Sequence, residues 1–329
     1  MILIYLLVLI FCIIFYLYIY PIDYEFFFID NQLQVAIVST VRNPHQIHDW
    51  IRYHLNFGIS KIFLILDDEK EDINNKFGNR VEIFKNDKIW KNKLKTCNQY
   101  STYSKSFNSE VMSRQILNIE YILKHCQSKG INWLIHIDAD EILYSPKYDN
   151  IKDILIKLDD RVNIINIDNY ELAPTESNAN NCFRTHTHFK TRVNGNNFVA
   201  YYNGKSGCKV SNDIHPYGVH EFKSNISDHK EKISEKDLVV LHYVNCNFKE
   251  WKNKYKILGN FNDTWWNNVR IPFSMHKKSR DVVMNHLNDE SKLLNIYNEM
   301  IYDHSKLNDE LKDGRIAKID KVKHNLLGI

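Results

Sequence analysis

Between residues 35 and 137, short apolar runs alternate with segments of helical spacing, and this alternation restricts the chain to few architectures. Residues 35–39 (Val-Ala-Ile-Val-Ser) are apolar enough to be a buried strand. In the segment that follows, Ile47, Trp50, Ile51, His54 and Leu55 recur on one helical face. Asn43-Pro44 offers that helix a cap and a first-turn proline, and Gly58 a stop. Residues 61–66, 81–84 and 133–137 read as three more strands, and 109–125 as a long amphipathic helix. Strands separated by helices predict an α/β domain with a mixed, mostly parallel sheet and flanking helices. From residue 164 to 243 the segments shorten, with strands expected at 189–193, 197–202 and 238–243. Beyond Phe248 the chain reads as charged helix to its end.

The most informative stretch closes the fourth strand. After Trp133-Leu-Ile-His-Ile come Asp138, Asp140 and Glu141, three acids within four positions. Ligands of open α/β sheets bind at the carboxyl edge, where this turn falls. In extended chain an Asp-x-Asp pair points both carboxylates to one side, because side chains alternate with period two. Two close carboxylates repel unless a cation sits between them. Mg²⁺ or Mn²⁺, with diphosphate oxygens completing the shell, resolves that repulsion. The bland alternative is a solvated acidic turn that caps the next element.

Composition narrows the function classes. Forty-three Lys and Arg against 40 Asp and Glu leave a net charge of +3, without the basic excess of a dedicated nucleic-acid binder. Six Cys without a Cys-x-x-Cys pair give neither a zinc-ribbon spacing nor a disulfide-dense scaffold. The first 22 residues carry no charge. The apolar stretch 2–20 would span roughly 28 Å as a helix, close to the hydrocarbon thickness of a bilayer. Residues 1–22 are therefore expected to be an uncleaved transmembrane signal anchor and 23–33 a short stem. Residues 34–257 are expected to form the main domain and 258–329 a helical extension. With the amino terminus cytoplasmic the domain would be lumenal, in the Golgi, ER or an equivalent compartment, and the sequons at Asn225 and Asn262 would be usable.

Four segments resemble, in order, the glycosyltransferases of family 92 and related family-2-like proteins with the GT-A fold. They are Thr40-Val-Arg-Asn43 with Asp49-Trp50-Ile-Arg-Tyr53-His54 and Gly58; Trp133 to Leu143; Gly204-Lys205-Ser206 leading to Gly218-Val219-His220; and Leu241-His242-Tyr243 with Phe248-Lys-Glu-Trp251 and Lys254. The chain departs from the pattern where Asn43 is followed by Pro44 instead of an acid, and where residues 205–209 replace an apolar-basic run.

The resemblance implies a metal-dependent hexosyltransferase taking a nucleotide-sugar donor. A UDP-sugar such as UDP-galactose is favoured, with a glycan or glycoprotein as acceptor, Mn²⁺ (or Mg²⁺) as cofactor, and inversion at the sugar carbon. Carried over residue by residue, Asp140 is the metal ligand, Asp138 touches metal or ribose, and His220 or His242 completes the site. Lys205 faces the diphosphate. Thr40, Arg42 and Asn43 receive base and ribose, and Asp67 or Asp68 partners the uracil. A carboxylate should deprotonate the acceptor; Glu171, Glu176 and Glu221 are the candidates. A metal-dependent phosphohydrolase or nucleotidyltransferase, recruiting Asp67 and Asp68, and a non-catalytic membrane-tethered glycan binder are the alternative readings.

Overall fold

The computed structural model describes residues 33–193, 198–265, 269–272 and 274–327. The expected anchor, and the stem up to residue 32, lie outside the described residues. Among those described, no helix is long and apolar enough to cross a membrane.

From Val35 onward the chain forms one compact unit. Its strands are β1 (Val35–Val41), β2 (Lys61–Leu66), β3 (Val81–Lys85), β4 (Trp133–His136), β5 (Glu141–Tyr144), β6 (Ile164–Ile167) and β7 (Asn169–Leu172). They continue with β8 (His188–Lys190), β9 (Lys205–Lys209), β10 (Ile214–Pro216), β11 (Phe222–Ser224), β12 (Lys230–Lys232), β13 (Val239–His242) and β14 (Ile316–Lys318). The helices used below are α1 (Ile47–Asn56), α2 (Lys88–Leu94), α3 (Val111–Ser128), α4 (Phe248–Leu258), α5 (Ser274–Asn285), α6 (Glu290–Asn298), α7 (His304–Lys312) and α8 (Lys321–Leu327).

A seven-stranded sheet runs β12-β6-β9-β4-β1-β2-β3 and is parallel except for β9, which lies antiparallel between β4 and β6. The strands read as buried from their apolar runs form its centre: β1 registers Val38 against Phe63 of β2 and against His136 of β4. α2 and α3 cover one face, where Ile116, Ile119, Ile122 and Leu123 meet Phe63, Ile65 and Leu134. Each such side chain contributes roughly 1.5–3 kcal/mol when removed from water. A second sheet, β14-β8-β7-β13-β5, begins immediately after the acid turn. The turn is therefore the corner where the chain leaves one sheet for the other.

The Trp50…His54 pair, read as an apolar face, turns out to fasten that corner. The Trp50 indole donates to the Glu141 carbonyl at 2.6 Å. His54 Nε2 accepts from the Leu143 N–H at 3.2 Å, which leaves Nδ1 to donate to the Trp50 carbonyl at 2.8 Å. Gly58 (φ 90°) turns the chain so tightly beneath them that a Cβ there would meet Asn150. The helix itself starts later than Asn43-Pro44 suggests. Gln46 occupies the cap position at φ 60° with no side-chain cap, because its amide is engaged elsewhere.

Two more expectations change. No strand forms over 198–202, which bends instead, and Asn197 lies outside the described residues. The described residues of the expected helical extension pack on the domain, but their helical run is broken by a strand. Trp251, Tyr255, Val283, Leu293 and Tyr297 make a small core among α4, α5 and α6, and β14 pairs with β8 as an edge of the second sheet.

Burial pushes the His54 pKa down to about 3 and that of His136 to about 4. Both lie below the ordinary value near 6.5, so the unfolded chain takes up these protons first and stability is lost as pH falls below about 6.5. Each histidine should cost about 2 kcal/mol by pH 5. The melting temperature at pH 5 is expected to fall several degrees below that at pH 7.5. An unchanged or higher value at pH 5 would refute neutral burial.

Candidate functional site

The carboxyl ends of β1 and β4 open into a cleft of about 460 Å³, roofed by α4 and the segment after β13. Thr40, Arg42 and Asn43 line it, as expected from the sequence, and so do Asp67, Asp138, Asp140, His220 and His242. Asn43 sits at φ 45°. Its N–H is met by Glu71 Oε1 at 2.7 Å, so an acid from the β2–β3 connection stands near where the resembled pattern carries one in sequence.

One face of α3 holds the cleft floor. Asn118 donates to Thr40 Oγ1 at 2.9 Å, and Gln115 donates to Asp138 Oδ1 at 2.7 Å. Arg114 grips Asp67 with two hydrogen bonds, at 2.5 and 2.9 Å. Arg114 thus engages both Asp67 oxygens and fixes this acid in the cleft wall. Asp68 does not line the cleft; its carboxylate accepts from the Lys70 N–H within its own turn.

The three acids of the turn diverge. Glu141 is fully buried; one oxygen takes the Tyr201 hydroxyl and the other the Asp138 N–H at 2.8 Å. Lys205, itself buried, reaches Asp138 Oδ2 at 2.5 Å and Glu141 Oε2 at 3.4 Å. Gly204, at φ 68° and against the Ile167 carbonyl, provides the tight approach that delivers this lysine. Burial opposes the Asp138 charge, yet Lys205 outweighs it and holds the carboxyl at about 2. Glu141 goes the other way: burial raises its pKa more than Lys205 lowers it.

Asp140 is the most exposed of the three, at 38% of its side chain against 30% for Asp138. His242 Nε2 lies 3.7 Å and Lys254 Nζ 3.3 Å from its Oδ2. Burial opposes its ionisation, but Lys254 and His242 hold the carboxyl well below the usual range. Burial likewise opposes the charge on His242, and Asp140 outweighs it, so the imidazole pKa is raised.

The four expected metal donors do not converge. Asp138 has both oxygens engaged by Gln115 and Lys205. His220 Nδ1 bonds the Gly204 carbonyl at 2.7 Å, and burial and Lys205 lower its pKa to about 3, which leaves a neutral imidazole lining the cleft. Asp140 and His242 stand as an adjacent carboxylate and imidazole. Among the described residues, the one group of three metal-type donors within 4.8 Å is Cys182, Cys246 and Glu250, and its two cysteines form a disulfide.

The expected catalytic acids are also placed elsewhere. Glu171 is buried and bound by Lys190 at 2.8 Å and by the N–H groups of Val199 and Ala200, so it braces the second sheet. Glu176 and Glu221 are exposed and do not line the cleft. Sequence reasoning missed Gln115, Tyr201, Lys254 and Glu250. Lys254 had a signal, as the last residue of the resembled pattern.

No family model matches the chain. Two curated proteins of Arabidopsis thaliana, both named glycosyltransferase-like, do. One is 24% identical over 244 residues, covering 64% of this chain and 47% of its own length. The other is 22% identical over 245 residues, covering 64% of this chain and 53% of its own length. The chain thus spans about half the length of the curated relatives it matches. Among solved structures, a CMP:2-keto-3-deoxy-manno-octonic acid synthetase complexed with CTP aligns over 54% of this chain and 74% of its own, at 12% identity. Its TM-score of 0.25 is too low to carry an argument.

Proposed function

We propose that this chain transfers a sugar from a nucleotide-sugar donor, a UDP-sugar foremost, to a glycan or glycoprotein acceptor, as an inverting enzyme of the family-92 type. One observation carries the reading: an acid turn at the end of β4 presents Asp140 to a cleft lined by Thr40, Arg42 and Asn43 of β1 and its loop. Such a strand-end crevice is where α/β folds receive nucleotides. The names of the two plant relatives agree with it.

Charge explains how the cleft would accept a diphosphate. Asp138, Asp140 and Glu141 face Lys205, Lys254 and a His242 whose protonation Asp140 favours. That cluster is close to neutral and offers little net attraction to a diphosphate. Asp140, and His242 once it gives up its proton, would hold a divalent cation, Mn²⁺ or Mg²⁺, by few protein donors. The cation would supply Lewis-acid charge for the departing diphosphate. Arg42, half exposed at the cleft mouth, and Lys254 add cationic contacts, while Gln115 and Lys205 keep Asp138 still.

A type II, lumen-facing topology accompanies this reading. The Cys182–Cys246 disulfide suits an oxidising compartment, and the sequon residues Asn225 and Asn262 are exposed.

The full-length chain in detergent, given Mn²⁺ and a panel of UDP- and GDP-sugars, should release nucleoside diphosphate from one donor and stop when EDTA is added. No release, together with no metal-dependent binding of UDP or GDP, would overturn the proposal.

A further inference from the structure

The acids carried over as candidate bases lie outside the cleft, yet an inverting transfer needs a group to take the acceptor proton. Four carboxylates line the cleft: Asp67, Asp138, Asp140 and Glu250. The first three each have a cationic nitrogen within 3.3 Å: Arg114 on Asp67, Lys205 on Asp138, Lys254 on Asp140. Glu250 has none among the described ion pairs.

Its surroundings fix it without occupying it. Glu250 stands in the first turn of α4, where Asn247 caps the helix by accepting the Glu250 N–H at 2.7 Å. Gln46 holds Oε1 through its amide N–H at 2.9 Å, while the Gln46 amide oxygen accepts from the Cys182 N–H at 2.8 Å. The amide is thereby locked in one orientation, and Gln46 keeps a left-handed backbone (φ 60°) to deliver it. Such strain persists where the surroundings hold it in place, often at functional sites. Oε2 lies 3.1 Å from Cys246 Sγ. That sulfur belongs to the Cys182–Cys246 disulfide and has no hydrogen to donate. One oxygen is pinned and the other keeps a lone pair.

We infer that Glu250 is the catalytic base of the proposed transfer, an assignment that rests on the nucleotide-sugar reading of the cleft. Glu250 Oε2 takes the proton of the acceptor hydroxyl as the acceptor oxygen forms its bond to the sugar carbon. The bond from that carbon to the diphosphate oxygen breaks, and its electron pair leaves with the nucleoside diphosphate. Burial raises the Glu250 pKa, with nearby Asp140 adding to the rise and His45, Asn247 and Lys254 opposing it. A carboxylate of raised pKa is a stronger base than an exposed one. Tyr297 also faces this carboxylate, its hydroxyl turned to the Asn245 carbonyl.

Glu250→Gln keeps the shape and the Gln46 contact; Glu250→Asp keeps the charge and withdraws it. The full-length wild type and both variants would be given Mn²⁺, the UDP- and GDP-sugar panel and a mixture of mono- and disaccharide acceptors, from about pH 5 to about pH 9. Nucleoside-diphosphate release and UDP and GDP affinity would both be read. Release by Glu250→Gln should fall about 10²- to 10⁴-fold, with nucleotide affinity within about threefold of wild type. Glu250→Asp should recover part of the rate, and the acid limb of the wild-type profile should vanish in Glu250→Gln. Release by Glu250→Gln within threefold of wild type would overturn the base assignment and leave the nucleotide-sugar reading standing. A wild type that neither releases nor binds nucleotide would overturn both.

Discussion

Replacing Lys205 by Met is expected to cost about 3–5 kcal/mol of folding stability. Its ammonium is fully buried, 2.5 Å from Asp138 and 3.4 Å from Glu141, and Glu141 is buried with it. Removing the cation leaves two carboxylates facing each other at the sheet corner, and breaking a buried pair costs more than the pair contributed. The strand registers put the damage at a sensitive place, because Lys205 starts β9, which bridges β4 to β6. Chemical denaturation would measure the loss. Adding Asp138→Asn to Lys205→Met should return about 1–3 kcal/mol, since the two positions are directly coupled. A loss below about 1 kcal/mol for Lys205→Met would mean that the carboxylates relax into water and that the corner is not held by this charge.

How much of this could be read before the fold is clearest at the corner itself. The central parallel strands were legible because buried strands read as unbroken apolar runs, and β1, β2 and β4 appear near where those runs fall; β3, an edge strand with only Val81 buried, was legible from a shorter mixed run. The acid turn was legible as a ligand-facing strand end, and Asp138 and Asp140 do line the cleft. Their division of labour was not. Lys205 lies 67 residues from Asp138, and Lys254 lies 114 from Asp140. Which lysine reaches which acid depends on β9 entering antiparallel beside β4 and on α4 folding over the cleft. No local spacing encodes either event.

The polar face of α3 was hidden for a related reason. Gln115 and Asn118 are buried polar residues on a helix whose apolar residues already satisfied the amphipathic pattern. Their partners, Thr40 of β1 and Asp138 of the turn after β4, lie on either side of the helix in sequence. Glu171 misled in the opposite direction. It is an acid in a domain that needs one, but it registers beside His242 on β7 and is consumed by Lys190 inside the second sheet. Glu250 was overlooked because a glutamate in the first turn of a helix is ordinarily explained by the helix dipole. Only the disulfide and the Gln46 amide distinguish it.

Asp140→Asn is expected to lower sugar transfer by at least about 10³-fold while leaving the fold in place. The asparagine keeps the volume and one acceptor oxygen, and the site is 38% exposed, so the stability change should be small. The charge change is large where it matters. Lys254 and His242 both direct their nitrogens at Oδ2, and without the carboxylate only Glu141 is left to oppose the burial that disfavours a charged His242. A divalent cation would then have an amide oxygen in place of an anionic ligand, and hard cations hold such ligands weakly. The variant should therefore show UDP affinity in Mn²⁺ no better than in EDTA, whereas the wild type should bind more tightly with the metal. The paired readout separates two causes: a rate loss with the metal-dependent affinity intact would assign Asp140 to positioning Lys254. Transfer within tenfold of wild type would exclude the acid turn as the seat of the reaction, and the Lys205 corner would then stand as architecture alone.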